Sequence, residues 1–191
     1  MKQGEVVIPL HRPNPTEMLF FLLCGVIMSV PITLFIAQLA DSLLVGLTQF
    51  YAVLISTAFF SPLIEEFAKI LPLVYRHGET QRSIFTLAVM VGLGFAIVEL
   101  LTYVFLLGAP VVFRLPGLLF HPSSTAISAY GIATKRPLPF FALAVALHFA
   151  NNFLVVINPF PISASVFIVG ITIFLGWTFY GRTKEKIVAY S

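Results

Sequence analysis

Glu65, Glu66 and Lys69 fall within five residues of one another, inside a largely apolar run from residue 43 to 75. At a bilayer centre each such group costs roughly 2.5–3.5 kcal/mol on insertion scales, so a chain that keeps three together turns them inward and uses them. Further along, Glu99, His121, His148, Asn151 and Asn152 interrupt other apolar runs. A carboxylate in a low-dielectric cavity can take a proton from water. A histidine can protonate a leaving amine or donate to an oxyanion, and an asparagine amide can donate to an oxyanion. Together these groups would suffice for water-mediated peptide hydrolysis without a covalent intermediate.

Helical spacing divides the roles. Lys69 lies four residues after Glu65 and three after Glu66, so it can reach either carboxylate. Adjacent residues point about 100° apart, so the two glutamates cannot share one job: one faces a cavity while the other is held by Lys69 or a neighbouring helix. His148 and Asn152 stand one turn apart on one face, and Asn151 is turned aside as helix–helix glue. Glu99 has Tyr103 one turn away and could also pair with Lys69, while His121 has Ser124 and Thr125 close by. Other protease chemistries lack their residues. There is no HExxH pair for a metalloprotease of that type and no GxSxG for a serine nucleophile. Asp41 is the only aspartate, so an aspartyl pair is impossible.

The elements that must hold these groups are membrane helices. Of 191 residues, 59% are hydrophobic and only 10% charged, against about 25% charged in a soluble domain. The expected class is all-α, a polytopic bundle of about six spans: 18–40, 43–75, 83–107, 117–134, 138–157 and 163–180. The second run is too long for one span, and Pro62 is expected to break it into a lead-in helix and the helix carrying the acidic pair. Pro31 is expected to kink the first. Residues 76–82, 108–116 and 158–162 read as turns or loops. Residues 1–16 read as a polar N-terminal segment, 17–181 as one membrane domain, and 182–191 as a basic tail. With six spans, nine of the eleven Lys and Arg residues fall on one side, Arg114 alone on the other, and Lys69 within a span. The positive-inside rule then puts both termini in the cytoplasm. The net charge of +3 belongs to loops facing anionic lipid, and no nucleic-acid partner is expected. Cys24, the only cysteine, sits in an apolar run and reads as an inert core residue. Counting from the cytoplasmic ends at 1.5 Å per residue puts Glu65, Glu66 and His148 ~16 Å deep, His121 ~21 Å, Asn152 ~22 Å and Glu99 ~25 Å. Four spans thus bring acid, imidazole or amide groups to the outer half of the bilayer.

On these residues the chain resembles a family. Glu65-Glu66-Phe67-Ala68-Lys69 resembles the EExxK signature of the PrsW-type intramembrane proteases, within the CAAX-protease and bacteriocin-processing superfamily. Phe95 to Glu99, continuing to Tyr103, is similar to its FxxxE motif; Arg114 and His121 resemble its third region, and His148 to Asn152 its closing HxxxN. The resemblance spans roughly residues 62–153. It implies a glutamate-dependent endopeptidase of a prokaryotic-type cell membrane, cutting a single-pass, anti-sigma-factor-like substrate on its extracytoplasmic side. By the same resemblance Glu65 or Glu66 would activate water, and Glu99 and His121 would complete the centre. His148 with Asn152 would hold the oxyanion, with Lys69, Phe95, Tyr103 and Arg114 in support. The related CAAX proteases have an arginine after the acidic pair and a histidine in the second motif. Lys69 and Glu99 stand there here, against prenylated substrates.

No cofactor is required by this chemistry. A zinc-bound form is the variant to weigh, since glutamate and histidine are good zinc ligands. Two other classes fit the same polar cluster: a noncatalytic immunity or scaffold protein that keeps the fold, and a small ion- or proton-coupled transporter.

Overall fold

The structure, a computed structural model, describes residue 10 and residues 12–74, 80–157 and 161–188. Six long helices fill it: α1 Pro15–Ser42, α2 Gln49–Val74, α3 Gln81–Leu106, α4 Val111–Ala133, α5 Pro137–Ile157 and α6 Pro161–Arg182. Among the described residues there is no strand, only an isolated bridge between Thr80 and Ile187. Five of the helices are long and apolar enough to cross a membrane. The chain is an all-α, multi-pass membrane protein. α4 is the exception by composition, carrying Arg114, His121, Pro116 and Pro122. Its 23 residues still span ~34 Å. Its half from Phe120 onward is mostly buried by the other helices, so it needs little apolar surface of its own.

Local signals set the helix ends. Asn14 caps α1, its side chain accepting from the Glu17 N–H at 2.9 Å, with Pro15 in the first turn where its missing N–H costs nothing. Thr80 caps α3 through the Ser83 N–H at 3.0 Å. α3 ends before Gly108, whose φ of 68° lies in the left-handed region that glycine tolerates. The turn there is shorter than residues 108–116, because α4 already begins at Val111.

Pro62 does not break its helix. α2 runs unbroken from Gln49 to Val74, and the strain is taken up by a π-helical stretch, Ile55–Phe60. α1 does the same, with a π stretch at Gly25–Ser29 just ahead of Pro31. A proline ring clashes with the carbonyl of residue i−4, and one wider turn moves that carbonyl aside. The excess length of residues 43–75 is handled instead by turns between Ser42 and Gln49.

Small residues set the spacing at the centre. A Cβ at Gly25 would strike the Val91 carbonyl, and one at Gly94 the Leu22 carbonyl, so α1 and α3 cross backbone to backbone. At Gly92 a Cβ would lie 2.5 Å from the His121 carbonyl oxygen and 2.6 Å from Pro122 Cα. Gly92 therefore fixes where α4 carries His121 past α3. Gly92→Ala is expected to lower stability by about 1–3 kcal/mol through this backbone clash, read as a drop in unfolding temperature in detergent.

At the other end of α3 from Gly108, the chain after α6 folds back. Gln81 N–H donates to Lys186 O (3.0 Å), Thr80 Oγ1 to Glu185 (3.0 Å), and Arg82 to Thr183 O (2.8 Å). Val188 is buried against Phe21, Leu73 and Ile84. Residues 183–188 of the expected basic tail are thus packed structure. The expected loops at 76–79 and 158–160, residues 1–9 and 11 of the N-terminal segment, and 189–191 of the tail lie outside the described residues.

Candidate active site

Lys69 organises the site. Its side chain is fully buried, and an ammonium so placed must satisfy all three of its N–H groups. It donates to Glu66 Oε1 at 2.7 Å, His121 Nδ1 at 3.1 Å and Ser124 Oγ at 3.3 Å, with the Phe95 ring centroid 5.3 Å away. Glu66, also fully buried, accepts further from the Ser124 hydroxyl at 2.9 Å and from His148 Nδ1 at 2.9 Å. The two glutamates are divided as helical geometry requires. Glu66 is held in the packed interior by Lys69, and Glu65, about 100° round the helix, lines a cavity.

That cavity, of about 350 Å³, is bounded by α2 through α6. α2 supplies Thr57, Ser61 and Glu65 at successive turns. α3 supplies Glu99 and Tyr103, and α4 supplies Arg114, Gly117 and His121. His148, Asn151 and Asn152 come from α5, and Ser165 and Val169 from α6. The structure thus brings Glu65, Glu99, His121, His148 and Asn152 to one cavity, with Glu66 and Lys69 directly behind it. Glu99 does not pair with Lys69. Arg114 donates to its Oε1 at 2.5 Å and His121 Nε2 lies 2.7 Å from its Oε2, while the Arg114 guanidinium stacks 3.6 Å over Tyr103. Thr57, Ser61, Gly117 and Ser165 also line the cavity and belong to none of the motifs, yet Ser61 and Gly117 stand one turn from Glu65 and His121, so helical spacing alone reaches them. Ser165 carried no such signal.

Donor and acceptor roles fix the tautomers. A carboxylate can only accept, so His148 Nδ1 carries its hydrogen toward Glu66, leaving the Nε2 lone pair facing Glu65 Oε2 across 3.7 Å. An ammonium can only donate, so His121 Nδ1 accepts from Lys69 and Nε2–H points to Glu99. Glu65 Oε2 is buried and has no hydrogen-bond partner among the described residues. Two acceptor atoms face each other there, a place for one shared proton, a water or a cation. Three carboxylates also share the site with two cations, Lys69 and Arg114. The remaining negative charge must be met by a proton on an imidazole or carboxyl, or by a cation.

Residues 14–178 match the family described as PrsW family intramembrane metalloprotease. The chain belongs to the PrsW family. Comparison with curated proteins and with solved structures finds no match. Membership of the PrsW family makes this an intramembrane protease by kinship, and the family description raises a metal that the donor set can test. Glu65, His121 and His148 can each offer one ligand atom, all within 4.8 Å of one another. Two imidazoles and a carboxylate at a cavity form a donor set of the kind catalytic zinc uses. The orphaned Glu65 Oε2 and the free Nε2 of His148 suit it, and Glu66 behind His148 Nδ1 is the carboxylate that orients a ligating imidazole. The residues fit a metal on one condition: His121 must release Lys69 or Glu99 to free a ring nitrogen.

Proposed function

We propose that this PrsW-family protein is an endopeptidase that cuts a membrane-anchored, single-pass protein toward the extracytoplasmic side, with Glu65 activating the water. The carrying observation is the buried, unpartnered Glu65 Oε2, with His148 Nε2 facing it across 3.7 Å at the cavity. Two acceptor atoms facing each other make a place that a water molecule or its proton satisfies. Glu65 takes a proton from the water as its oxygen attacks the peptide carbonyl carbon, and the same carboxyl delivers that proton to the leaving amine. Glu66 and Lys69 hold His148 and His121 in place, and Glu99, oriented by Arg114, keeps His121 turned toward the cavity. The developing oxyanion faces the Arg114 guanidinium, the cation that lines the cavity. Kinship with the wider CAAX-protease superfamily, an anti-sigma-factor-like substrate, a prokaryotic-type membrane and cytoplasmic termini belong to the same proposal. They rest on the EExxK, FxxxE and HxxxN residues and on the one-sided basic charge.

A second reading keeps the same residues and adds a metal, favoured by the convergence of Glu65, His121 and His148 ligand atoms. Glu65, His121 and His148 would hold it, and it would supply Lewis-acid activation of water and carbonyl. Purified protein, its metal content measured and then stripped with a chelator, separates the two. The first reading expects reporter cleavage to survive stripping. Loss of cleavage on chelation, with recovery at one added metal per chain, establishes the second.

A further inference from the structure

Asn152 is not aimed solely at the reacting groups. Its amide N–H donates to the main-chain carbonyl of Thr57 at 3.0 Å, across the α5–α2 interface. That carbonyl lies in the π stretch of α2, where hydrogen bonds run from residue i to i−5. The Ser61 N–H reaches Ser56 O in this way. The next residue is Pro62, and in the same register its partner would be Thr57 O. Proline has no N–H to give.

We propose that Asn152 is a positioning residue that supplies from α5 the hydrogen bond Pro62 cannot make, and so fixes the wall of the cavity formed by the first half of α2. The assignment rests on the protease reading above and reinterprets a residue that the family resemblance would place at the oxyanion. The amide does not act alone. The Ser165 hydroxyl donates to Asn151 Oδ1 at 2.9 Å, and the Asn151 amide donates to Asn152 Oδ1 at 3.0 Å. The chain Ser165, Asn151, Asn152, Thr57 runs in one donor direction across α6, α5 and α2, each bond polarising the next. All four residues line the cavity. Thr57, Ser61 and Glu65 form one stripe along α2, so holding Thr57 fixes the end of that stripe farthest from the water-activating carboxylate.

The proline makes this testable. Asn152→Ala leaves Thr57 O without a donor. It is expected to cut reporter cleavage by about tenfold, mainly through KM, because the wall touches substrate while the reacting groups stay in place. Pro62→Ala restores a main-chain N–H at that point. In the Asn152→Ala background it is expected to return cleavage to within about threefold of Pro62→Ala alone. If Asn152→Ala fails to accumulate, rescue is read as recovery of folded protein in the double variant. Thermal unfolding of the same four proteins gives a second cycle that does not depend on cleavage. A reporter the wild type leaves whole would count against the protease reading alone, with the unfolding cycle still deciding this proposal. Coupling between positions 62 and 152 supports it. Additive effects, or a loss confined to kcat that Pro62→Ala does not relieve, overturn it in favour of an oxyanion donor.

Discussion

Glu65→Gln is expected to abolish cleavage while leaving the protein as stable as the wild type or more so. The first half follows from role: removing the group that takes the proton from water costs about 10²–10⁴ in rate, and each of the other two carboxylates is paired with a cation that makes it a poor substitute base. Glu66 is committed to Lys69, Ser124 and His148, and Glu99 to Arg114 and His121. The second half follows from the unpartnered Oε2 facing His148 Nε2. An amide in that place supplies the missing N–H, and a satisfied buried hydrogen bond contributes about 1 kcal/mol. Stability and activity then move in opposite directions, as expected where a site holds strain for function. Unfolding temperature in detergent, measured beside reporter cleavage, checks both. A fall of several degrees in Glu65→Gln would show that the carboxylate holds the bundle together instead.

Lys69→Met is expected to do the reverse, destroying the fold before any question of activity arises. Its fully buried ammonium meets acceptors from α2 and α4. Removing it strands the Glu66 carboxylate in the interior, and a broken buried pair costs about 3–5 kcal/mol. That is a large fraction of the stability of most domains. Lys69→Arg is no remedy, because a planar fork cannot reproduce three contacts made by a compact ammonium. Adding Glu66→Gln to Lys69→Met is expected to recover part of the loss by removing the stranded charge. Size-exclusion profiles and unfolding temperatures of the two variants check this. A Lys69→Met protein as stable as the wild type would mean that the pair is solvated in the membrane and not buried.

Much of this was legible in the chain. Low charge and long apolar runs gave an all-α multi-pass bundle, and the 100° step between adjacent residues separated Glu65 from Glu66. Gly92 and Gly94 lie within one apolar run, a pattern that permits close helix approach, and both stand where a Cβ would meet a neighbouring backbone. Pro62 carries the signal of a helix break, whereas a widened turn and a donor from another helix accommodate it within one continuous α2. The early start of α4 was hidden by Pro116, which sits inside the helix. The partners of Glu99 were not legible either. One-turn spacing suggests a partner on the same helix, but Arg114 and His121 reach Glu99 from α4, at a distance set by helix packing. Thr57 was invisible for a simpler reason, since its contribution is a main-chain carbonyl and carries no side-chain signature.

The most direct test of the central claim is cleavage of a single-pass membrane reporter by purified wild type and Glu65→Gln protein, matched for folded fraction, with the cut bond located by mass spectrometry. The account predicts one cut by the wild type, toward the extracytoplasmic side of the reporter's span, and none by Glu65→Gln. Cleavage by Glu65→Gln at the wild-type rate and the same bond would contradict it.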